Sequence, residues 1–305
     1  MCSSAEKKKR LVKNIRERKE QKNSKTMLPA NRVSKSRLFA MIFSEKENLL
    51  QIYNALKGTT YKESEQIKVN TLENAIYMSM HNDVSFLFGC FQELYEHQST
   101  YNPNMPLRFL LYVSDLFSGY VKDKEFYSRR KILLPVPEFW VFYNGKEKHP
   151  ETEEMKLSDC FQIKQKDPSM ELKVTVYNIN PGFHESLKSS CTVLGEYAEY
   201  TSRVRAYTRE MDLEEAVERA ITECIKEGIL KDFLEKNRAE AKNVSIYEYD
   251  EEKHLAQVRE EGREEGEERL GKLMMVLLAS GRNIDAQKAA ADADYRRELY
   301  KECCV

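Results

Sequence analysis

Asp83, Glu96 and Gln98 stand at spacings that a β-hairpin would turn into one oxygen-lined site. The chain from His81 to Gln98 reads His-Asn-Asp-Val-Ser-Phe-Leu-Phe-Gly-Cys-Phe-Gln-Glu-Leu-Tyr-Glu-His-Gln, two apolar runs on either side of Gly89-Cys90. A two-residue loop with glycine first suits a type II′ turn. A turn there pairs Phe88 with Phe91 and, further along the ladder, Asp83 with Glu96, whose Cβ atoms then lie about 5 Å apart. Gln98, two residues past Glu96, projects from the same face. Opposed carboxylates repel unless a cation lies between them. Oxygen donors completed by water suit Mg²⁺ or Mn²⁺ far better than zinc. The spacing also admits a plainer reading, a solvated pair of acids at the open end of a hairpin. A one-residue slip of register would send the two acids to opposite faces.

Arg108 falls near the start of the next expected helix. There it could hold a phosphate with help from the helix N-terminus, or pair with Asp115 or Glu138. In a regular strand His97 points away from the face of Glu96 and Gln98, which makes its side chain structural, and His81 reads as a surface residue. The sequence has no Cys/His cluster with zinc spacing, no glycine-rich phosphate loop and no Ser/His/Asp hydrolase elbow.

The elements that must position these residues follow from pattern. Ser44 with Glu47 reads as a capping box for a helix whose Leu49, Leu50, Tyr53 and Leu56 form one stripe and whose end is Gly58. Ile76, Met78 and Met80 alternate with Tyr77 and Ser79, as in a strand. After the hairpin, a turn-rich stretch over 99–106 leads into a helix with Pro106 in its first turn. Leu107, Leu110, Leu111, Ser114, Phe117 and Val121 share one face of it. Phe139-Trp140-Val141-Phe142-Tyr143 reads as a buried central strand, and Leu172, Val174 and Val176, alternating with Lys173 and Thr175, as a half-exposed one. The predicted class is α/β, one mixed sheet with helices packed on it.

From about residue 186 the pattern becomes helical. Asp212 with Glu215 caps a helix through Ala216, Val217, Ala220, Ile221, Cys224 and Ile225 that ends near Gly228. The run over 259–268 pairs charges at i, i+4 and predicts an exposed connecting helix, weakened by Gly262 and Gly266 and open to use in self-association. Leu270 to Leu278 predicts a last apolar helix, and Ala286–Ala291 with Tyr295–Tyr300 completes a small C-terminal unit. The division is therefore a basic arm at 1–30, an α/β core over 31–185, a helical region over 186–258 and a charged helix with a small helical unit over 259–305.

Lys and Arg number 49 against 50 Asp and Glu, so any attraction for nucleic acid must be local. Basic residues crowd the stretch from Lys7 to Lys25, where Glu17 and Glu20 are the acids. That stretch can neutralise phosphates, yet it carries no aromatic side chain to stack on bases and reads first as a solvated, disordered arm. No apolar run approaches the ~20 residues of a membrane span. Seven cysteines without a CxxC pair fit a reducing cytoplasm.

Several of these stretches together resemble the PD-(D/E)XK nuclease family transposases, the Rpn-type recombination-promoting nucleases. The resemblance rests on Asn82-Asp83-Val84-Ser85-Phe86, on Tyr95-Glu96-His97-Gln98-Ser99-Thr100 and on Asn104-Met105-Pro106-Leu107-Arg108 with Tyr112. It continues through Pro137-Glu138-Phe139, Phe142-Tyr143-Asn144-Gly145, the stretch from Ile221 to Leu230 and the acidic run at 259–268, covering the chain from about residue 34. It implies a restriction-endonuclease-like core of αβββαβ order followed by a helical C-terminal region. It also implies a cytoplasmic, Mg²⁺- or Mn²⁺-dependent DNA endonuclease tied to recombination or mobile elements. Asp83 and Glu96 would be the metal-binding acids, the backbone carbonyl of His97 would complete the coordination, Gln98 would stand in the place of the lysine, and Arg108 would hold the substrate phosphate.

Two departures accompany the resemblance. Gln98 offers an amide and no positive charge, which implies a slower reaction than a lysine site. Ser34-Lys35-Ser36-Arg37 stands where relatives often carry an acid, and Glu45 or Glu47, each equally well explained by helix capping, are the nearest substitutes. A second expectation follows, a catalytically decayed DNA-binding or self-associating protein derived from such a nuclease.

Overall fold

In the computed structural model, residues 38–70, 83–121, 129–303 and 305 are described. Two helices open this region, α1 (Leu38–Ile42) and α2 (Lys46–Lys57). Helix α2 buries Leu49, Leu50, Ile52 and Tyr53, close to the expected stripe, and ends on Gly58 at φ 63°, whose N–H bonds Asn54 O. The expected capping box is absent. Ser44 turns its hydroxyl back onto Met41 O, Glu45 takes the cap position, and Glu47 accepts from the Ser64 hydroxyl. Ser44 closes the short α1 turn, so its side chain is already committed before α2 begins.

The sheet has six strands in the order β1-β2-β3-β4-β6-β5. They are β1 (Lys68–Val69), β2 (Val84–Phe88), β3 (Phe91–Gln98), β4 (Val136–Tyr143), β5 (Thr152–Lys156) and β6 (Lys173–Asn178). Strand β2 pairs antiparallel with both β1 and β3, strands β3, β4 and β6 run parallel, and β5 returns antiparallel on β6. The crossover from β3 to β4 carries helix α3 (Met105–Val121). From α2 to β4 the order is thus α-β-β-β-α-β, and β5 and β6 extend the sheet. The expected strand through Ile76, Met78 and Met80 lies outside the described residues, as do His81, Asn82 and the basic stretch from Lys7 to Lys25.

Side-chain alternation gives the sheet two apolar faces, each covered by helix. On one face Leu94, Phe139, Val141, Tyr143, Val174 and Val176 pack against Met105, Phe109, Tyr112 and Val113 of α3. On the other, Val84, Phe86, Phe88, Tyr95 and Phe142 pack against α1, α2 and the later helices α4 (Glu185–Ser190), α5 (Thr192–Tyr207), α6 (Leu213–Glu227) and α7 (Lys231–Lys236). Complete burial of each such Leu, Val or Phe stabilises by about 1.5–3 kcal/mol. Helix α6 follows its expectation closely. Asp212 accepts from Glu215 N–H, Gly228 closes the far end at φ 84°, and Ala216, Val217, Ala220, Ile221 and Cys224 are buried.

Helix α3 corrects the expected face. Leu107 and Leu111 are 44 % and 40 % exposed, while Met105, Pro106, Phe109, Tyr112 and Val113 turn inward. The helix is apolar on both sides, so periodicity alone does not choose between them. A second correction concerns the C-terminal region, where Leu270–Leu278 is no separate helix. It continues α8 (Arg238–Ala279), along which Arg263 pairs with Glu260 and Glu267. Helices α9 (Asn283–Ala291) and α10 (Ala293–Glu302) fold back so that Ala286, Ala289 and Leu299 cover Leu273 and Leu277. No helix among the described residues is long and apolar enough to cross a membrane.

Candidate functional site

The β2–β3 hairpin turns at Gly89-Cys90. Gly89 takes φ 59° and Cys90 is not among the residues of positive φ, the pattern of a type II′ corner. The ladder runs from Phe88↔Phe91 to Val84↔Tyr95 without slip. Asp83 lies one residue before the first paired residue of β2, next to the end of β3. The observed pairs keep the register that was expected up to Val84↔Tyr95.

The two carboxylates have different surroundings. Asp83 is half-buried, and its Oδ2 accepts from the backbone N–H of His97 at 2.8 Å. Glu96 is wholly buried on the face that α3 covers. Its Oε2 lies 3.4 Å from Nη2 of Arg108, whose side chain is 19 % exposed. Arg108 is held more closely by the Tyr112 hydroxyl, one helical turn on, at 2.7 Å from Nη2 and 3.2 Å from Nε. Burial opposes the charge on Arg108, but the Glu96 carboxylate, the Tyr112 hydroxyl and Asp83 together outweigh it, so the guanidinium is held above its ordinary pKa. Burial, with the Glu96 charge beside it, pushes the Tyr112 hydroxyl well above its ordinary value, leaving it a neutral partner. Neither Asp115 nor Glu138 is the mate of Arg108. Glu138 projects from the opposite face of β4 and pairs with Lys57.

Gln98 lies buried on the Glu96 face, with its amide N–H against the sulfur of Met105 and Nη1 of Arg108 3.5 Å from the same sulfur. Met105 is thus the floor between amide and guanidinium. The side chain of His97 points to the other face, as strand alternation requires. It hydrogen-bonds Asn144 Oδ1 at 2.9 Å and packs against the rings of Phe39 and Tyr197. Asn144 is in turn bound by Arg205 through both its carbonyl and its side-chain oxygen. Asn144 N–H also donates to Gln98 O on the β4 side of β3. Successive residues of a strand direct their backbone groups to opposite edges, so the carbonyl of His97 faces the β2 edge, where its N–H already meets Asp83. Glu45 and Glu47 stay with the α2 terminus and Ser64, apart from this cluster.

Among the described residues, no three or more His, Cys, Asp and Glu side chains gather in a metal-holding group. A cation here would rely on Asp83, Glu96 and the main-chain oxygen of His97, and water would fill the rest of its shell. That donor set is all oxygen and fits Mg²⁺ or Mn²⁺, which retain several waters and bind through one or two carboxylates. Zinc sites more often use nitrogen or sulfur donors, whereas this set is all oxygen.

Sequence pattern pointed to Asp83, Glu96 and Gln98 but not to the support beneath them. Tyr112 sits at i+4 from Arg108, a spacing that sequence does offer as a signal. The Met105 floor and the Asn144–Arg205 brace behind His97 carry no local signal at all. A second polar cluster, on the other face of the sheet, was also unforeseen. Glu93 is wholly buried, accepts from Trp140 Nε1 at 2.9 Å and lies 3.4 Å from Lys57, which also pairs with Glu138. Burial raises the Glu93 carboxyl above its ordinary pKa, against the opposing pull of Lys57 and Trp140.

No protein-family model, curated protein or solved structure matches this chain.

Proposed function

We propose that the chain is a divalent-cation-dependent DNA endonuclease of the PD-(D/E)XK kind that hydrolyses phosphodiester bonds and is associated with recombination or mobile elements. The observation that supports this reading is the hairpin itself, with Asp83 on the His97 N–H at one end and Glu96 beside the half-buried Arg108. Asp83 and Glu96, with the His97 carbonyl, would hold Mg²⁺ or Mn²⁺. When bound, such an ion supplies a Lewis acid for the phosphoryl oxygen and makes a nearby water more acidic. Arg108 faces the same space and offers a guanidinium to a phosphate oxygen. The Gln98 amide can orient water or phosphate but carries no charge to stabilise an oxyanion, which supports a slow enzyme. Any general DNA affinity is assigned to the basic stretch Lys7–Lys25, self-association to the exposed charged α8, and the setting to the cytoplasm.

The test is plasmid cleavage by the full chain with Mg²⁺, Mn²⁺ or EDTA, beside Asp83→Ala and Glu96→Gln. Metal-dependent cutting that disappears in both variants is the expected result. The contact of Gln98 with Met105, rather than with either acid, favours one rival, a decayed nuclease that binds DNA without cutting it. DNA binding with neither cleavage nor Asp83-dependent Mn²⁺ affinity would establish that rival.

A further inference from the structure

Strands β4 and β6 are adjacent and parallel, so the segments that lead into them, 129–135 and 161–172, reach the sheet at the same edge. That edge is opposite the one at which β3 ends on Gln98. It presents Leu133 and Ile163, which are 79 % and 76 % exposed, with Leu134, Val136 and Met170 exposed in the same stretches. The second segment is fastened at its base, where Leu157 N–H donates to Leu172 O at 2.9 Å and the Ser158 hydroxyl to Glu171 at 2.7 Å. Arg129, Lys131, Lys164 and Lys166 belong to these two segments; all are exposed, and none forms an ion pair among the described residues. The acids there are Asp167 and Glu171, and Glu171 is taken up by Ser158. Exposed aliphatic side chains among unpaired cations form a contact surface that suits an apolar partner bearing acids.

Helix α8 offers that chemistry. Residues 260–269 are exposed on every side, with six glutamates against Arg263 and Arg269. Glu261, Glu264, Glu268, Gly271, Met275 and Leu278 fall at i, i+3, i+7, i+10, i+14 and i+17, one face of the helix about 25 Å long. Leu273 and Leu277 lie on the opposite face and are the ones that α9 and α10 cover, so Met275 stays 66 % exposed and Leu278 is exposed with it. Both surfaces are open within one chain, so they do not meet there; a second copy brings them together. Resting on the assignment of self-association to α8, though not on the nuclease reading, we propose that the chain dimerises through these two surfaces. The acidic and apolar face of α8 in one copy seats on the basic and apolar sheet edge of the other. The glutamates meet the four cations, and Met275 and Leu278 meet Leu133 and Ile163. The contact is reciprocal, which closes the pair on a twofold axis, where a single head-to-tail contact would extend it.

The experiment is sedimentation velocity on the full chain and on two charge reversals, Lys164→Glu with Lys166→Glu and Glu261→Lys with Glu264→Lys, each alone and the two mixed in equal amounts. All four positions are exposed and outside any ion pair among the described residues, so circular dichroism should match the wild type. The wild type is expected to be a dimer whose dissociation constant rises about tenfold between about 0.05 and 0.5 M NaCl, as salt screens the facing charges. Each reversal alone sets like charge against like at both contacts and is expected to raise the dissociation constant at least about tenfold. In the mixture, a heterodimer has both charges exchanged at one contact and the native pair at the other. It is expected to return to within about threefold of the wild-type affinity. Dimers indifferent to both reversals, or a mixture no tighter than its components, overturn this pair of surfaces and leave self-association by another route. A wild type that is monomeric at every concentration overturns both, and binding of duplex DNA lost in Lys164→Glu with Lys166→Glu would then give the basic edge to nucleic acid.

Discussion

Replacing Lys57 with Met should expose the cost of the buried Glu93 in a pH-dependent way. Unit charges separated by the 3.4 Å of Lys57 and Glu93 attract by about 5 kcal/mol at an effective dielectric of about 20. Desolvation offsets part of that, and Lys57 keeps 19 % of its side-chain surface in water. A destabilisation of about 2–3 kcal/mol is expected at pH 8, just below the usual range for breaking a buried pair, and a fall in Tm of about 3–5 °C. Glu138 is 27 % exposed and solvated, so losing Lys57 costs it little.

The pH dependence follows from the raised native pKa of Glu93. Between the ordinary glutamate value and that raised value the native state binds more protons than the unfolded state, so stability falls as pH rises through the interval. Lys57 pulls the native value down; without it the interval reaches to higher pH. The Lys57→Met penalty should therefore be full at pH 8 and shrink toward pH 4, where Glu93 is protonated with or without its partner. Urea denaturation followed by the fluorescence of Trp140 reads it directly, because the chain's single tryptophan donates to Glu93. The companion Glu93→Gln should flatten the pH dependence, and the double variant should recover most of the loss. An equal penalty at both pH values, or a double variant as unstable as Lys57→Met alone, would refute this account of the cluster.

Asp83→Ala removes one acceptor from the His97 N–H and should cost about 1 kcal/mol in urea denaturation, and the proposed nuclease function requires that it also eliminate metal-dependent plasmid cleavage. Gly89→Ala meets no atom within 4 Å, so its cost is conformational alone, about 1–2 kcal/mol for a side chain at φ 59°, read as a lowered denaturation midpoint. His97→Ala loses the Asn144 bond and two ring contacts in a buried place, and should destabilise by about 2–4 kcal/mol by the same measurement. Asp212→Ala should cost about 1 kcal/mol through loss of the α6 cap, read as a lowered denaturation midpoint.

What the sequence by itself determined is whatever short-range physics decides. Gly89 supplies the positive φ of the hairpin corner, and that one residue sets the register from Phe88↔Phe91 to Val84↔Tyr95. Asp212, Glu215 and Gly228 mark both ends of α6, and the continuous apolar run at Phe139–Tyr143 reads as the central strand it is. Strand β5 escaped notice because Thr-Glu-Glu-Met-Lys has no apolar alternation; an edge strand needs to bury only Met155. The tertiary structure decided which face of α3 meets the sheet, since leucines line both sides and only the crossover between β3 and β4 selects one. That choice brings Arg108 to Glu96 rather than to Asp115 or Glu138. It likewise takes the fold to join Lys57 to Glu138, 81 residues away, and to Glu93. Turns and caps are fixed by bonds between near neighbours, whereas the partners of a buried charge depend on which elements the chain reversals bring together.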